Sequence, residues 1–186
     1  MGSIAEASGV SVKTLYNLFG SRDELLLDAA TSTLATLGES EGILAENEGI
    51  PRLLAYVVGT MNDFLKGPTY AHAVISTLAK ADMGLPLTER YMGVVRRYAE
   101  ASLAVAARNQ ELIPDLDIKP IAQHISANQW GAVLLWIKGL MPIEDLPDHI
   151  ARSHYMTLLP VTRGSRHDQL RQDCTALLRA STSLRR

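Results

Sequence analysis

Four polar side chains near the start, Lys13, Thr14, Tyr16 and Asn17, suggest a chemistry by type and spacing, and that chemistry is recognition rather than catalysis. If residues 12–19 form one short helix, Leu15 and Phe19 fall a turn apart on its inner side, with Val10 closing a small core beside them. The four polar residues then lie outward, as hydrogen-bonding groups must on a helix that enters the DNA major groove. Groups suited to catalysis do not assemble in this way. No nucleophile elbow, Walker loop, dinucleotide fingerprint or His-Glu-x-x-His helix occurs. The histidines, His72, His124, His149, His154 and His167, are scattered, and the five-residue spacing of His149 and His154 suits one helical face poorly. Glu111, Asp115 and Asp117 surround Pro114 and read as a solvated turn rather than a cation site. The expectation is therefore no enzyme, no cofactor and no metal.

The elements that must hold the polar face are short and well punctuated. Ser3 with Glu6, and Ser21 with Glu24, fit capping boxes, and Ser11 can cap the helix that begins at Val12. Gly9 falls in the connection, where a positive φ strains any other residue. Helix, glycine-containing turn, helix is the helix-turn-helix arrangement.

Apolar spacing is helical along nearly the whole chain, which predicts an all-α fold: a helix-turn-helix head over residues 1–37 and a larger helical effector-binding and dimerisation domain over 38–186. Pro51 opens a helix with Leu54, Val57, Met61 and Phe64 or Leu65 inward, ending before Gly67-Pro68. A shorter helix is expected from Tyr70 to about Ala81. Pro86 then begins an amphipathic helix whose stripe is Leu87, Tyr91, Val94, Tyr98, Ala101 and Val105, with Arg90, Arg97 and Arg108 on another side. From Ile118 to Leu140 the second half is apolar all round, which requires cover on every side, either from a second subunit or from a monomeric bundle. The segment Leu146–Leu159 is its expected neighbour. The end of the chain, Arg163–Arg186, carries six arginines and reads as a solvated helix with a frayed tail.

Composition bounds the rest. In 186 residues with 47% hydrophobic and 20% charged content, a packed core is expected and disorder is not. The single Cys174 excludes an internal disulfide, and the net charge of −2 leaves any nucleic-acid surface to be local. The longest apolar run, Ala132–Ile137, is too short to cross a bilayer, and the start lacks the features of a signal peptide, so a cytoplasmic protein is expected.

One stretch carries a more specific signal. Ile4-Ala5-Glu6-Ala7-Ser8-Gly9-Val10-Ser11, followed by Thr14-Leu15-Tyr16, Phe19, Ser21-Arg22 and Leu25, resembles the DNA-binding signature of the TetR family of bacterial transcriptional repressors. The resemblance implies a homodimer whose heads read adjacent major grooves of a palindromic double-stranded DNA operator, and whose larger domain binds a small-molecule effector that respaces them. Position by position it implies base contacts from Val12, Lys13, Thr14 and Asn17, and phosphate contacts from Ser11, Tyr16 and Arg22.

The sequence also departs from that pattern. Only Met1-Gly2-Ser3 precede Ile4, so the helix with which relatives begin is expected to be absent, leaving Leu15, Leu18 and Phe19 partly uncovered. Leu18 stands where many relatives carry histidine or tyrosine. Residues 1–46 set Lys13 and Arg22 against Glu6, Asp23, Glu24, Asp28, Glu39, Glu41 and Glu46, a net of −5 that is poor electrostatics for a DNA-binding head. The alternative reading is a dimeric small-molecule-binding module that has lost DNA recognition.

Apolar walls with a few polar groups are the mark of a ligand site. On that ground Met61, Phe64, Tyr91 and Tyr98, with Asn128 and Gln129, are candidates for effector binding, and low aromatic content argues against a large polyaromatic ligand. Val133, Leu134, Ile137, Tyr155, Leu158 and Leu159 are the candidates for the dimer interface.

Overall fold

The computed structural model describes residues 1–37, 48–79 and 81–183. The acidic Glu39, Glu41 and Glu46, the proposed domain boundary at 37/38 and the last arginines lie wholly or partly outside them. The fold is all-α. In chain order the helices are α1 (Gly2–Ser8), α2 (Val12–Phe19), α3 (Arg22–Leu37), α4 (Gly49–Lys66), α5 (Pro68–Leu78), α6 (Ala81–Arg108), α7 (Ile118–Ile137), α8 (Leu146–Leu158) and α9 (Gly164–Ser183). Among the described residues no helix is long and apolar enough to cross a membrane.

The body is a bundle in which α7 packs between α6 and α8, while α4 closes the other side against α6 and α8. Two adjoining clusters form its core. One joins Val57 and Met61 of α4, Ile75 of α5, Val133 and Trp136 of α7 and Ile150 of α8. The other joins Leu53 of α4, Leu103 of α6, Ile125 of α7, Leu158 of α8 and Leu170 of α9. Tyr98 and Trp130 pack against both clusters, so they stand at the seam. The helix α3 packs on α2 at one end and on α5 and α6 of the body, making it the mechanical link between head and bundle.

Several helix boundaries and faces differ from the sequence expectation for identifiable reasons. The long helix α6 starts at Ala81, not Pro86, so the proline lies past the first turn and costs the helix one backbone hydrogen bond rather than opening it. Its buried stripe is Tyr91, Val95, Ala99, Leu103 and Ala106, a rotation that leaves Ala101 exposed and Val94 and Val105 only half-buried. The side chains of Leu87 and Arg90 lie outside the described set. On α4, Leu53 is fully buried where Leu54 was expected, and Leu65 stays exposed. Both shifts have one cause: a 3.6-residue repeat sampled by scattered apolar residues leaves the face ambiguous by one position.

The shorter helix is Pro68–Leu78, with proline at its first position. Helix α7 stops at Ile137, since Gly139 takes φ 70° and the amides of Gly139 and Leu140 turn back to Trp136 and Leu135. The cover expected around its second half is incomplete within the protomer: Val133 and Trp136 are buried, but Leu135 is 38% exposed. Helix α9 is not merely solvated, because Leu170 and Cys174 are buried and the helix docks on α8. Around Pro114, Asp117 caps α7 by accepting from the Lys119 amide at 3.0 Å, and Glu111 pairs with Arg166 at 3.1 Å.

Candidate nucleic-acid interface

The turn between α1 and α2 is set by Gly9. With φ 68° and ψ 20° it occupies the left-handed region, and its amide and that of Val10 bond back to the Glu6 and Ala5 carbonyls. This double closure satisfies carbonyls that a helix end otherwise leaves orphaned. The chain then re-enters helix at Ser11, whose extended backbone and side chain cap α2: Ser11 Oγ accepts from the Thr14 amide at 3.0 Å and shares a 2.8 Å hydrogen bond with Thr14 Oγ1. Ser21 plays the same part for α3, accepting from the Glu24 amide at 3.1 Å. The box expected at Ser3 does not form, because α1 already begins at Gly2 and Ser3 lies inside it.

Leu15 is the anchor of α2, buried to 5% exposure, with Phe19 half-buried a turn later. Val10 does not close this core and remains 38% exposed. Leu18 is exposed, Leu15 is not. Around that anchor the residues expected to meet DNA all lie open: Ser11, Val12, Lys13, Thr14, Tyr16 and Asn17 on α2, and Arg22 at the first position of α3. All seven lie on the N-cap and body of α2 or at the first residue of α3, on the exposed surface of the head. This surface offers two cationic heads, three hydroxyls, an amide and the Val12 side chain, a set able to pair with phosphate oxygens and base edges. Asp23 and Glu24 follow Arg22 in the first turn of α3, where they suit the helix dipole but offset part of the positive charge.

The effector candidates do not form one group. Met61 is fully buried, and half-buried Phe64 meets the Trp136 ring at 6.0 Å. Tyr98 stacks on Tyr56 with ring centres 4.0 Å apart, and its hydroxyl accepts from Arg52 Nε at 2.9 Å. Tyr91, at the other cluster, has its hydroxyl 3.3 Å from the buried Gln129 Nε2, which donates to it, and its ring 5.7 Å from Trp130. Burial drives the Tyr91 phenol far above its usual range, the Gln129 bond opposing only in part. Gln129 Oε1 has no protein partner although fully buried. Tyr56, Trp130 and Arg52 escaped sequence reasoning. Trp130 beside Gln129 was the one visible hint, because a tandem of large amphipathic side chains interrupts an apolar run there.

Asn128 turns away from Gln129. It lines an open groove of about 490 Å³ between α7 and α8, where His124 and His149, far apart in sequence, stand on facing walls. The remaining histidines serve the fold: His154 is buried with Nδ1 2.8 Å from the Ile150 carbonyl, His167 has Nδ1 3.1 Å from the Leu159 carbonyl, and His72 sits edge-on to Trp136. Among the described residues no group of three or more potential metal ligands converges.

Two of the expected interface residues are consumed by the protomer itself. Val133 and Leu158 are fully covered in the two core clusters, so neither can touch a second chain in this conformation. Ile137, Tyr155 and Leu159 flank those clusters and, like Leu134, remain partly open.

Comparison with known proteins gives a likeness of fold. No family model matches, and no curated protein matches by sequence. Among solved structures, the chain is similar to the crystal structure of a gamma-butyrolactone receptor, an ArpA-like protein, with a TM-score of 0.62 at 20% identity. The match covers 95% of this chain and 84% of that one, so it spans head and bundle together and shows that the two share their helical architecture.

Proposed function

We propose that the protein is a ligand-responsive, DNA-binding transcriptional repressor of TetR type, acting as a homodimer on a palindromic operator, and not an enzyme. The observation that carries this reading is α2: a helix held by one buried leucine, with every residue of its expected recognition set exposed. Burial of those side chains against the bundle was the arrangement that had to be absent. The structural neighbour is described as a receptor, which supports a small-molecule input. Helix α3 supplies the connection, since it packs on α2 and on the bundle at once and a repacking of α5 and α6 would move the head.

The effector site in this reading lies beside Gln129, whose Oε1 has no protein partner next to Tyr91, with Trp130 packed on the Tyr91 ring. Gamma-butyrolactones are the first compounds to titrate. The dimer forms over the open side of α7, through Leu134, Leu135 and Ile137 at one end of the α7–α8 pair and through Tyr155 and Leu159 at the other. Sedimentation of Leu135→Lys against the unaltered chain tests that face, a monomer in the variant alone supporting it.

A second reading, a small-molecule-binding module without DNA recognition, is favoured by the acidic head, in which Asp23 and Glu24 adjoin Arg22. Anisotropy titration of DNA from the region beside the protein's own gene separates the two. Saturable binding whose affinity falls steeply with salt supports the repressor; effector binding with no DNA retention supports the module.

A further inference from the structure

Building on the effector site proposed beside Gln129, we infer that its ligand is a neutral apolar molecule held by hydroxyl groups, which donate to two buried acceptors, Gln129 Oε1 on α7 and His154 Nε2 on α8. Gln129 is 0% exposed and His154 1%, and neither acceptor atom has a protein partner. The two residues belong to one level of the bundle. Helices α7 and α8 pack side by side across the short connection 138–145 and so run antiparallel. Ile125 and Leu158 share one core cluster, Val133 and Ile150 the other. Gln129 is one turn from both Ile125 and Val133, and His154 one turn from both Ile150 and Leu158. Each therefore stands between the clusters, on the face its helix turns inward. Trp130 and Tyr98, which pack against both clusters, are only partly buried, so displacing either ring opens this level to solvent.

The tautomer of His154 follows from its one bond: a carbonyl only accepts, so Nδ1 carries the proton toward Ile150 and Nε2 presents a bare lone pair. Gln129 spends its Nε2 on the Tyr91 hydroxyl, which leaves Oε1 as the second bare acceptor. Tyr91, having accepted from the amide, keeps its own phenolic proton to give. Two acceptors and one donor are met together by hydroxyl groups, which donate and accept through the same atom. An ester or lactone ring has acceptors alone and can answer only Tyr91. A charged donor is the poorer occupant, because the interior holds its own groups neutral: burial drives the Tyr91 phenol up and lowers the His154 imidazole to about 4.

NMR titration of the full chain, labelled in its glutamine amides and histidine rings, tests this with nonane-1,4-diol, the dimethyl ether of that diol, and γ-nonalactone. The three have similar apolar bodies and differ in their donors. The diol is expected to bind at least about tenfold more tightly than the ether or the lactone, and to shift the His154 Nε2 and Gln129 amide resonances but not those of His72. Gln129→Leu and His154→Leu keep the core filled, and each should lose most of the preference for diol over ether while binding the ether as the unaltered chain does. Equal binding of diol and ether, with the Gln129 amide shifted by both, would overturn the proposal and leave the effector site beside Gln129 standing. An undiminished diol preference in both folded variants would do the same. So would a coupling across a hydrogen bond from Gln129 Nε2 to His154 Nε2 in the free protein, because the amide would then already satisfy the imidazole. No saturation by any of the three at millimolar concentration, or shifts confined to residues away from Gln129 and His154, would overturn the effector site as well.

Discussion

Gln129 of α7 and Tyr91 of α6 meet inside the bundle, the amide Nε2 donating to the phenolic oxygen at 3.3 Å while the amide Oε1 is left without a protein partner. A buried amide that is half satisfied costs more than an apolar residue of the same shape, because desolvation is complete and the return is partial.

The pair should therefore be strongly coupled. Tyr91→Phe leaves both amide atoms unpaired and should destabilise the fold by about 1–3 kcal/mol. Adding Gln129→Leu removes the unpaired amide, so the double variant should be more stable than Tyr91→Phe alone. Urea unfolding of the four proteins checks this, and simple additivity of the two single effects would contradict it.

The turn before α2 gives a second expectation. Gly9 has φ 68°, and a Cβ placed there would meet nothing within 4 Å, so only backbone strain opposes a side chain. Gly9→Ala should cost about 1 kcal/mol through the left-handed conformation, and Gly9→Asn less. Thermal melts of both variants measure the difference; equal stability of alanine and glycine would mean that the turn is not held as described.

His154 makes the bundle sensitive to acid. Burial lowers its imidazole from the usual 6.5 to about 4, the backbone bond to Ile150 opposing in part. The folded state keeps the ring neutral, whereas the unfolded chain takes up a proton near pH 6.5. Stability is thus whole above that value and is lost as pH falls toward 4. Between pH 7 and 5 the loss should be roughly 2 kcal/mol. Comparison of urea midpoints for the unaltered chain and His154→Leu checks it, because this part of the pH dependence should flatten in the variant.

Local signals in the sequence were the most legible. Gly9, Ser11 and Ser21 each specify a backbone event within four residues, and the structure has all three. Ser3 misled because a cap requires the helix to start just after it, at Ile4, and α1 begins two residues earlier, at Gly2. What the sequence hid was mutual orientation. Val133 and Leu158 read as dimer-interface residues because each sits in an apolar run that needs cover, yet packing of α7 between α6 and α8 encloses both within the protomer. His124 and His149 are 25 positions apart, and only the crossing of two helices makes them neighbours across a groove. The polar face of α2 was legible for the opposite reason: in so short a helix the one buried leucine dictates where every other residue points.

The measurement closest to the central claim is a mobility-shift titration on a palindromic fragment from the region beside the protein's own gene, comparing the unaltered chain with a Lys13→Ala, Tyr16→Ala double variant. Both side chains are exposed, so the variant should keep its melting temperature within the small range expected of surface changes. The account predicts that the unaltered chain retards the fragment and the folded double variant loses that retention by at least tenfold. Retention by the variant equal to that of the unaltered chain would contradict it.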